Sequence, residues 1–274
     1  MGQRPIVPAH KRLWRKYSWV VVLAGLYAAV AGIAHAMADS MLFQPSYGSF
    51  REPTGGVRIK TKDGELSALY LPNPAAKCTL WYFHGNAEDL GDIQPKLEAL
   101  RGMGYAVFAY DYPGYGLSTG TSSEKKIYES TQRALEYLRE THALRPEQLV
   151  LYGRSLGGGP AVELATREPV AGLILESAFM SAYRVMTRWR LLPFDKFENL
   201  RKIKKVHCPV LVMHGTEDRV VAFVHGEKLF AEANEPKQKF WVQGAGHNNL
   251  TTVAGPLYRD AVMAFKPSPI PASK

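Results

Sequence analysis

Cysteine is scarce: Cys78 and Cys208 are the only two in 274 residues, which excludes a disulfide scaffold and a four-ligand cysteine zinc site. Metal-ligand spacing is also missing. His84 and His214 each end an apolar run as His-Gly, but neither has a second ligand at fixed spacing, so neither a metal nor another cofactor is expected. There is no internal repeat and no low-complexity tract apart from a Pro/Ser-containing tail after Phe265. The 24 glycines and 18 prolines are neither dense nor periodic, which excludes a collagen-like or disordered chain. Acid is absent before Asp39, whereas Arg4, Lys11, Arg12, Arg15 and Lys16 all precede it. Much of the formal charge of +9 therefore lies in a leader. Most of the rest lies between Arg184 and Lys205, where Arg188, Arg190, Lys196, Arg201, Lys202 and Lys204 are opposed only by Asp195 and Glu198. Elsewhere the balance is slightly acidic, so no broad basic stripe interleaved with aromatics is available, and nucleic acid is not expected as a partner.

What is present begins with an apolar run. Trp19–Ala38 contains no Lys, Arg, Asp or Glu, and a helix of about 20 residues spans a hydrocarbon core of roughly 30 Å. Trp14, Tyr17 and Trp19 sit where an interfacial aromatic belt would. The positive charges all precede the run, which predicts a cytoplasmic N-terminus and a body on the outer side of the membrane. The other reading is a signal peptide: Ala36-Met37-Ala38 has the small-x-small form of a cleavage site and would yield a secreted protein. The anchor is favoured because Trp19–Ala34 is longer than a usual signal core of about 7–15 residues. The expected organisation is a basic tail at 1–18, a span at 19–38, one catalytic domain at 40–266 and a flexible tail at 267–274.

From residue 57 short β-branched apolar runs alternate with amphipathic stretches, the pattern of an α/β fold with a mostly parallel sheet. Strands are expected at Val57–Thr61, Ala68–Leu71, Thr79–Phe83, Ala106–Tyr110, Leu149–Tyr152, Gly172–Leu175, Val210–Met213 and Phe240–Val242. Ile127, Thr131, Leu135 and Leu138 recur at helical spacing, as do Leu229, Phe230 and Ala233.

The chemistry gathers just after these strands. Leu149–Tyr152 runs into Gly153-Arg154-Ser155-Leu156-Gly157 and then into a helix opening on Pro160. A sharp strand-to-helix turn of this kind exposes the serine hydroxyl, and side chains at 153 and 157 would collide, hence glycine at both. A serine hydroxyl is a weak nucleophile that needs a base, and the base needs a carboxylate to fix its tautomer. His247, within Gly244-Ala245-Gly246-His247, is the candidate base. Asp218 is the favoured acid, three residues past the strand-ending Gly215, with Glu217 its immediate competitor. The remaining histidines have solvated or capping roles as their simpler reading.

With these residues the chain resembles the α/β-hydrolase superfamily, whose triad order is Ser, Asp, His. Within it, Phe83-His84-Gly85-Asn86-Ala87, Asp111-Tyr112-Pro113-Gly114-Tyr115-Gly116-Leu117-Ser118 and Cys208-Pro209-Val210-Leu211 are similar to the small-lid group that includes single-pass membrane hydrolases and acyl-protein depalmitoylases. The likeness covers roughly residues 40–265. It implies an eight-stranded sheet in the order 1-2-4-3-5-6-7-8 with Ser155 at its centre. It also implies an oxyanion hole made by the backbone N–H groups of Asn86 and Leu156. In that strand order Cys78 and Cys208 are three strand spacings apart, too far for a bridge. The leader departs from the depalmitoylases in having no cysteine to carry a lipid.

A lid is expected at about 177–207, too short for a large cap. Phe179, Tyr183, Met186, Trp189, Leu191, Leu192 and Phe194 either wall an acyl pocket or pack the lid onto the domain. The resulting expectation is a serine hydrolase of carboxylic esters or thioesters acting on a small-molecule or lipid-like acyl substrate near a membrane. A serine peptidase and a non-catalytic membrane-anchored binding protein are the alternatives. Peptidase relatives of the prolyl type usually carry an accessory domain for which this length leaves no room. Nothing in the sequence bears on oligomeric state.

Overall fold

A computed structural model describes residues 9–187 and 192–268. Arg4, Arg188, Trp189, Arg190, Leu191 and the tail from 269 lie outside the described residues. The chain divides into two compact units between Leu42 and Phe43.

The first unit is helix α1, Ala9–Leu42, which from Tyr17 onward is long and apolar enough to cross a membrane. It runs past Ala38, where the sequence reading ended the span. Alanine, methionine and leucine favour the helix, and no glycine or proline interrupts the chain between Ile33 and Pro45.

The second unit is built on an eight-stranded sheet: β1 Gly56–Thr61, β2 Gly64–Leu71, β3 Thr79–Phe83, β4 Ala106–Tyr110, β5 Leu149–Arg154, β6 Gly172–Glu176, β7 Val210–Gly215 and β8 Lys237–Val242. The order is β1-β2-β4-β3-β5-β6-β7-β8, as the resemblance implied. β1–β2 and β2–β4 pair antiparallel, and all other neighbours pair parallel. Every residue of β3, β4, β5, β6 and β7 is buried. This is why those strands read as unbroken apolar runs, since a parallel sheet is covered on both faces. β2 starts four residues earlier than expected and β8 three. Their added residues, Gly64–Ser67 and Lys237–Lys239, include polar side chains that the search for apolar runs passes over. At the two rims, β1 presents Arg58 and Lys60, and β8 presents Lys237 and Lys239.

The covering helices are α2 Leu90–Gly102, α3 Glu124–His142, α4 Gly158–Ala165, α5 Ala182–Met186, α6 Asn199–Lys202, α7 Val224–Glu232, α8 Leu250–Ala254 and α9 Pro256–Ala264. Each long one has a local cause. Asp89 caps α2 by accepting the Asp92 N–H, and Ser123 caps α3 by accepting the Lys126 N–H. α3 buries Ile127, Thr131, Leu135 and Leu138, the predicted stripe.

The lid contains α5 and α6. Phe179 and Phe197 are buried, with ring centroids 6.4 Å apart, and Phe197 also meets Phe43 at 6.1 Å and Tyr128 at 5.7 Å. These two aromatics pack the lid onto the domain, whereas Met186 is exposed. Both cysteines are free, Cys208 buried and Cys78 half-buried. Phe197→Ala should lower unfolding free energy by about 3–5 kcal/mol, the usual cost of emptying a buried phenylalanine site. A chemical-denaturation midpoint unchanged from wild type would show that Phe197 does not hold the lid.

Candidate active site

The end of β5 is set by steric exclusion. A Cβ on Gly153 would lie 2.6 Å from the Gly157 carbonyl oxygen, and one on Gly157 would lie 2.1 Å from the Phe83 carbonyl oxygen. Between them Ser155 takes φ of +49°, a left-handed conformation that costs about 1–3 kcal/mol for a residue other than glycine. A short helical turn, Ser155–Gly157, then leads into α4. The side chain of Ser155 is thereby lifted from the strand end toward the loops that follow β7 and β8.

Those loops supply the partners. His247, after β8, has Nε2 3.0 Å from Ser155 Oγ and Nδ1 2.8 Å from Asp218 Oδ2. With the proton on Nδ1 donated to the carboxylate, Nε2 is free to accept the hydroxyl proton. Asp218 Oδ1 accepts the N–H groups of Val220 and Val221 at 2.9 and 2.8 Å. His214 Nε2 lies 3.4 Å from Asp218 Oδ2 while donating to the Val221 carbonyl at 2.8 Å. Burial alone would push the Asp218 carboxyl up, but hydrogen bonds from His214, His247 and Val221 outweigh it and hold the carboxyl well below its usual range. Glu217, its neighbour in sequence, is exposed, so the carboxylate facing His247 is that of Asp218. Among the described residues, no group of three or more His, Cys, Asp or Glu side chains is arranged to hold a metal ion.

The third wall is the loop between β3 and α2. Glu88 Oε2 accepts the Gly85 N–H at 2.8 Å, and Ala87 takes φ of +61°. Asn86 Oδ1 accepts the Tyr115 hydroxyl at 2.5 Å and the Gln44 N–H at 3.0 Å. Across the site, Leu156 lies in the first helical turn after β5, where backbone N–H groups have no acceptor within the helix. The sequence reading missed Arg154, although it lies inside the glycine-bounded pentapeptide. Its guanidinium is buried, donates to Glu88 Oε1 at 2.5 Å and to Asn248 Oδ1 at 2.7 Å, and reaches the His247 carbonyl at 3.4 Å. One side chain thus ties the strand end to the loop after β3 and the loop after β8. Glu88 and Asn248 carried no signal of their own. Behind Arg154, fully buried Glu176 is bonded by Lys96 at 2.8 Å and by the Tyr152 hydroxyl. Burial works against its ionisation, but Lys96 and Arg154 hold its carboxyl below the ordinary value.

His225, at the start of α7, accepts the Met180 N–H at 3.1 Å through Nδ1 and so joins the lid to α7. Burial, with His214 nearby, pushes its pKa down to about 4. The unfolded chain therefore takes this proton first. The stability it contributes is complete above an unfolded histidine pKa of about 6.5 and is lost as pH falls toward the folded value. Lowering pH from about 7 to about 5 should cost on the order of 1 kcal/mol through this site, allowing for solvent screening. Urea midpoints at the two pH values check this: His225→Gln should lose less than wild type, and an identical loss would remove His225 as the cause.

Comparisons with known proteins agree on the architecture. Residues 74–200 match the family described as serine aminopeptidase, S33. Human alpha/beta hydrolase domain-containing protein 17B is 42% identical over 194 residues, covering 69% of this chain and 67% of that protein. The Caenorhabditis elegans alpha/beta hydrolase domain-containing protein aho-3 is 38% identical over 211 residues, 74% of this chain and 62% of that protein. The chain thus spans about two thirds of the length of these relatives. Among solved structures, an esterase of Pyrococcus furiosus superposes with a TM-score of 0.63 at 20% identity, covering 76% of this chain and 89% of that one. Est1E of Butyrivibrio proteoclasticus, solved with ferulic acid, gives 0.63 at 19% identity, covering 76% and 96%. At such identity the solved structures speak for the fold alone.

Proposed function

The chain belongs to the α/β-hydrolase family and is a hydrolase, and from that premise we propose that it cleaves carboxylic esters or thioesters through a serine-bound acyl intermediate. The observation that carries this reading is the continuous hydrogen-bonded line Asp218–His247–Ser155, with contacts of 2.8 and 3.0 Å, ending on a serine in left-handed backbone conformation.

The steps follow from that line. Ser155 Oγ attacks the acyl carbonyl while His247 Nε2 takes the hydroxyl proton, and Asp218, already ionised, stabilises the imidazolium. The carbonyl oxygen becomes an oxyanion, stabilised by the N–H groups of Asn86 and Leu156. One such donor is worth about 100- to 1,000-fold in turnover. Collapse breaks the bond to the alcohol or thiol, which leaves with the proton from His247. Water then repeats the sequence, with His247 as base, to release the acid and restore Ser155. Gly153 and Gly157 act sterically, by letting the turn close. No cofactor enters these steps.

A small or lipid-like acyl substrate suits the apolar α1 and the exposed Met186 of the lid. The charge order of the leader supports a single-pass protein with a cytoplasmic N-terminus and its catalytic domain on the outer side, or a secreted domain if the leader is cleaved after Ala38. The leader's lack of cysteine weighs against a depalmitoylase that is itself lipidated.

Labelling by a fluorophosphonate probe, with turnover of p-nitrophenyl esters of graded chain length, tests the reading. Ser155→Ala should abolish labelling and reduce turnover by about 1,000-fold or more, and His247→Ala should do the same. A Ser155→Ala protein that keeps more than a few per cent of wild-type turnover would exclude this nucleophile. Asp218→Asn should be far more damaging than Glu217→Gln, and the reverse order would reassign the acid. If wild type neither labels nor turns over any ester or thioester, the binding-protein alternative takes its place.

A further inference from the structure

Residues 43–54 show neither helix nor strand periodicity and hold none of the motifs above, yet they are bonded along their length to the loop between β3 and α2, to α2 itself and to Tyr115. Phe43 is buried against Phe197. The Gln44 N–H donates to Asn86 Oδ1 at 3.0 Å and to the Tyr115 hydroxyl at 3.1 Å, and that hydroxyl itself donates to Asn86 Oδ1. Further on, the carboxylate of Asp89 accepts the Ser49 hydroxyl at 2.7 Å and the Phe50 N–H at 2.5 Å. The Thr54 N–H donates to Gln94 Oε1 at 3.0 Å. The approach is tight enough to exclude side chains on both partners: a Cβ on Gly48 would lie 2.6 Å from Asp89 Oδ2, and one on Gly91 2.5 Å from Ser49 Oγ. Phe50 takes φ of +53°, a conformation that persists only where its surroundings impose it.

Two of these bonds, from the Gln44 N–H and the Tyr115 hydroxyl, meet on the residue whose backbone N–H serves as an oxyanion donor in the proposed reaction, while the Asp89 and Gln94 contacts hold the segment farther along. Asn86 stands between Gly85, whose N–H is taken by Glu88, and Ala87 in left-handed conformation. The residues on both sides of Asn86 are thus restrained, and its own side chain adds a further restraint. That side chain is held at Oδ1 by two converging donors. We propose that Phe43–Phe50 is a positioning strap for the oxyanion hole: through the Gln44 N–H and the Tyr115 hydroxyl it fixes Asn86 so that its backbone N–H faces the developing charge. The strap touches no reacting atom and acts through Asn86. The inference rests on the serine-hydrolase reading.

A misaimed donor weakens the transition state and leaves substrate binding unchanged, so the signature is a fall in kcat at constant KM. The test uses the full-length protein and a short p-nitrophenyl ester. Gln44→Pro removes the N–H and should lower kcat by about 10-fold, a fraction of the 100- to 1,000-fold loss of a whole donor, with KM within about twofold. Gln44→Ala keeps the N–H and should recover most of that loss. Should Gln44→Pro fail to fold, a cycle of Tyr115→Phe, Asn86→Ala and their double variant decides: each single change should lower kcat, and Tyr115→Phe should cost nothing further once Oδ1 is gone. Equal losses in Gln44→Pro and Gln44→Ala, additive losses in the cycle, or a rise in KM at unchanged kcat would overturn the strap. If Ser155→Ala is inactive while these variants keep full kcat, only the strap fails. If Ser155→Ala keeps turnover, the serine-hydrolase reading fails first.

Discussion

At the end of β5 the backbone has no room. The Gly157 backbone lies so near the Phe83 carbonyl, and the Gly153 backbone so near Gly157 and Gly158, that no side chain fits at either glycine. This packing forces the chain to leave the strand abruptly, which in turn drives Ser155 into a left-handed conformation. It requires β3 and β5 to be parallel neighbours, as they are with Phe83 opposite Gly153. The loop that follows β3 therefore begins beside the turn that follows β5. The strain at Ser155 is sustained because the strands on both sides are completely buried, and no relaxation of the turn is possible without opening that core.

Electrostatics is layered on this frame. Two buried carboxylates stay ionised for different reasons. Asp218 is held by backbone and imidazole N–H donors, and Glu176 by a lysine and an arginine. Arg154 belongs to both regions, since it lies near Glu176 at 3.7 Å and also meets Glu88 and Asn248. A charge so buried is tolerable only when paired, and removing one partner leaves the other unbalanced. The loops around Ser155 are consequently not independent, because their positions are referred to one guanidinium fixed at a strand end.

The parts legible in the sequence were those with local signatures. Buried parallel strands announce themselves as apolar runs, and the glycine-flanked Ser155 and glycine-flanked His247 announce a tight turn and an inserted base. Adjacent acids in one loop offer a weaker distinction, which rested here on the distance from the strand-ending Gly215 and favoured Asp218. Asp218 and Glu217 differ by one step along the backbone, and only the fold turns one inward and leaves the other exposed. Arg154–Glu88, Arg154–Asn248 and Gln44–Asn86 are pairs between segments far apart in sequence, some made by backbone N–H groups that every residue but proline carries. No composition or period marks them. The strand order and the Asn86–Leu156 pairing came from family likeness, since periodicity finds strands but does not rank them. The aromatic lid was ambiguous for a related reason: Phe179 is apolar whether it lines a pocket or fills a core, and here it fills one.

The two rims of the sheet carry Arg58 and Lys60 on one side and Lys237 and Lys239 on the other. An outer strand offers a row of backbone groups to any extended chain that comes alongside. Two copies meeting rim to rim would bring Lys60, Lys237 and Lys239 together, while Arg58 is already paired with Glu52 and Glu65. Lysines at both rims therefore oppose the addition of a further strand to the eight-stranded sheet. That is a safeguard against fibrous self-association, and it leaves the carboxyl ends of the strands, where Ser155 lies, untouched.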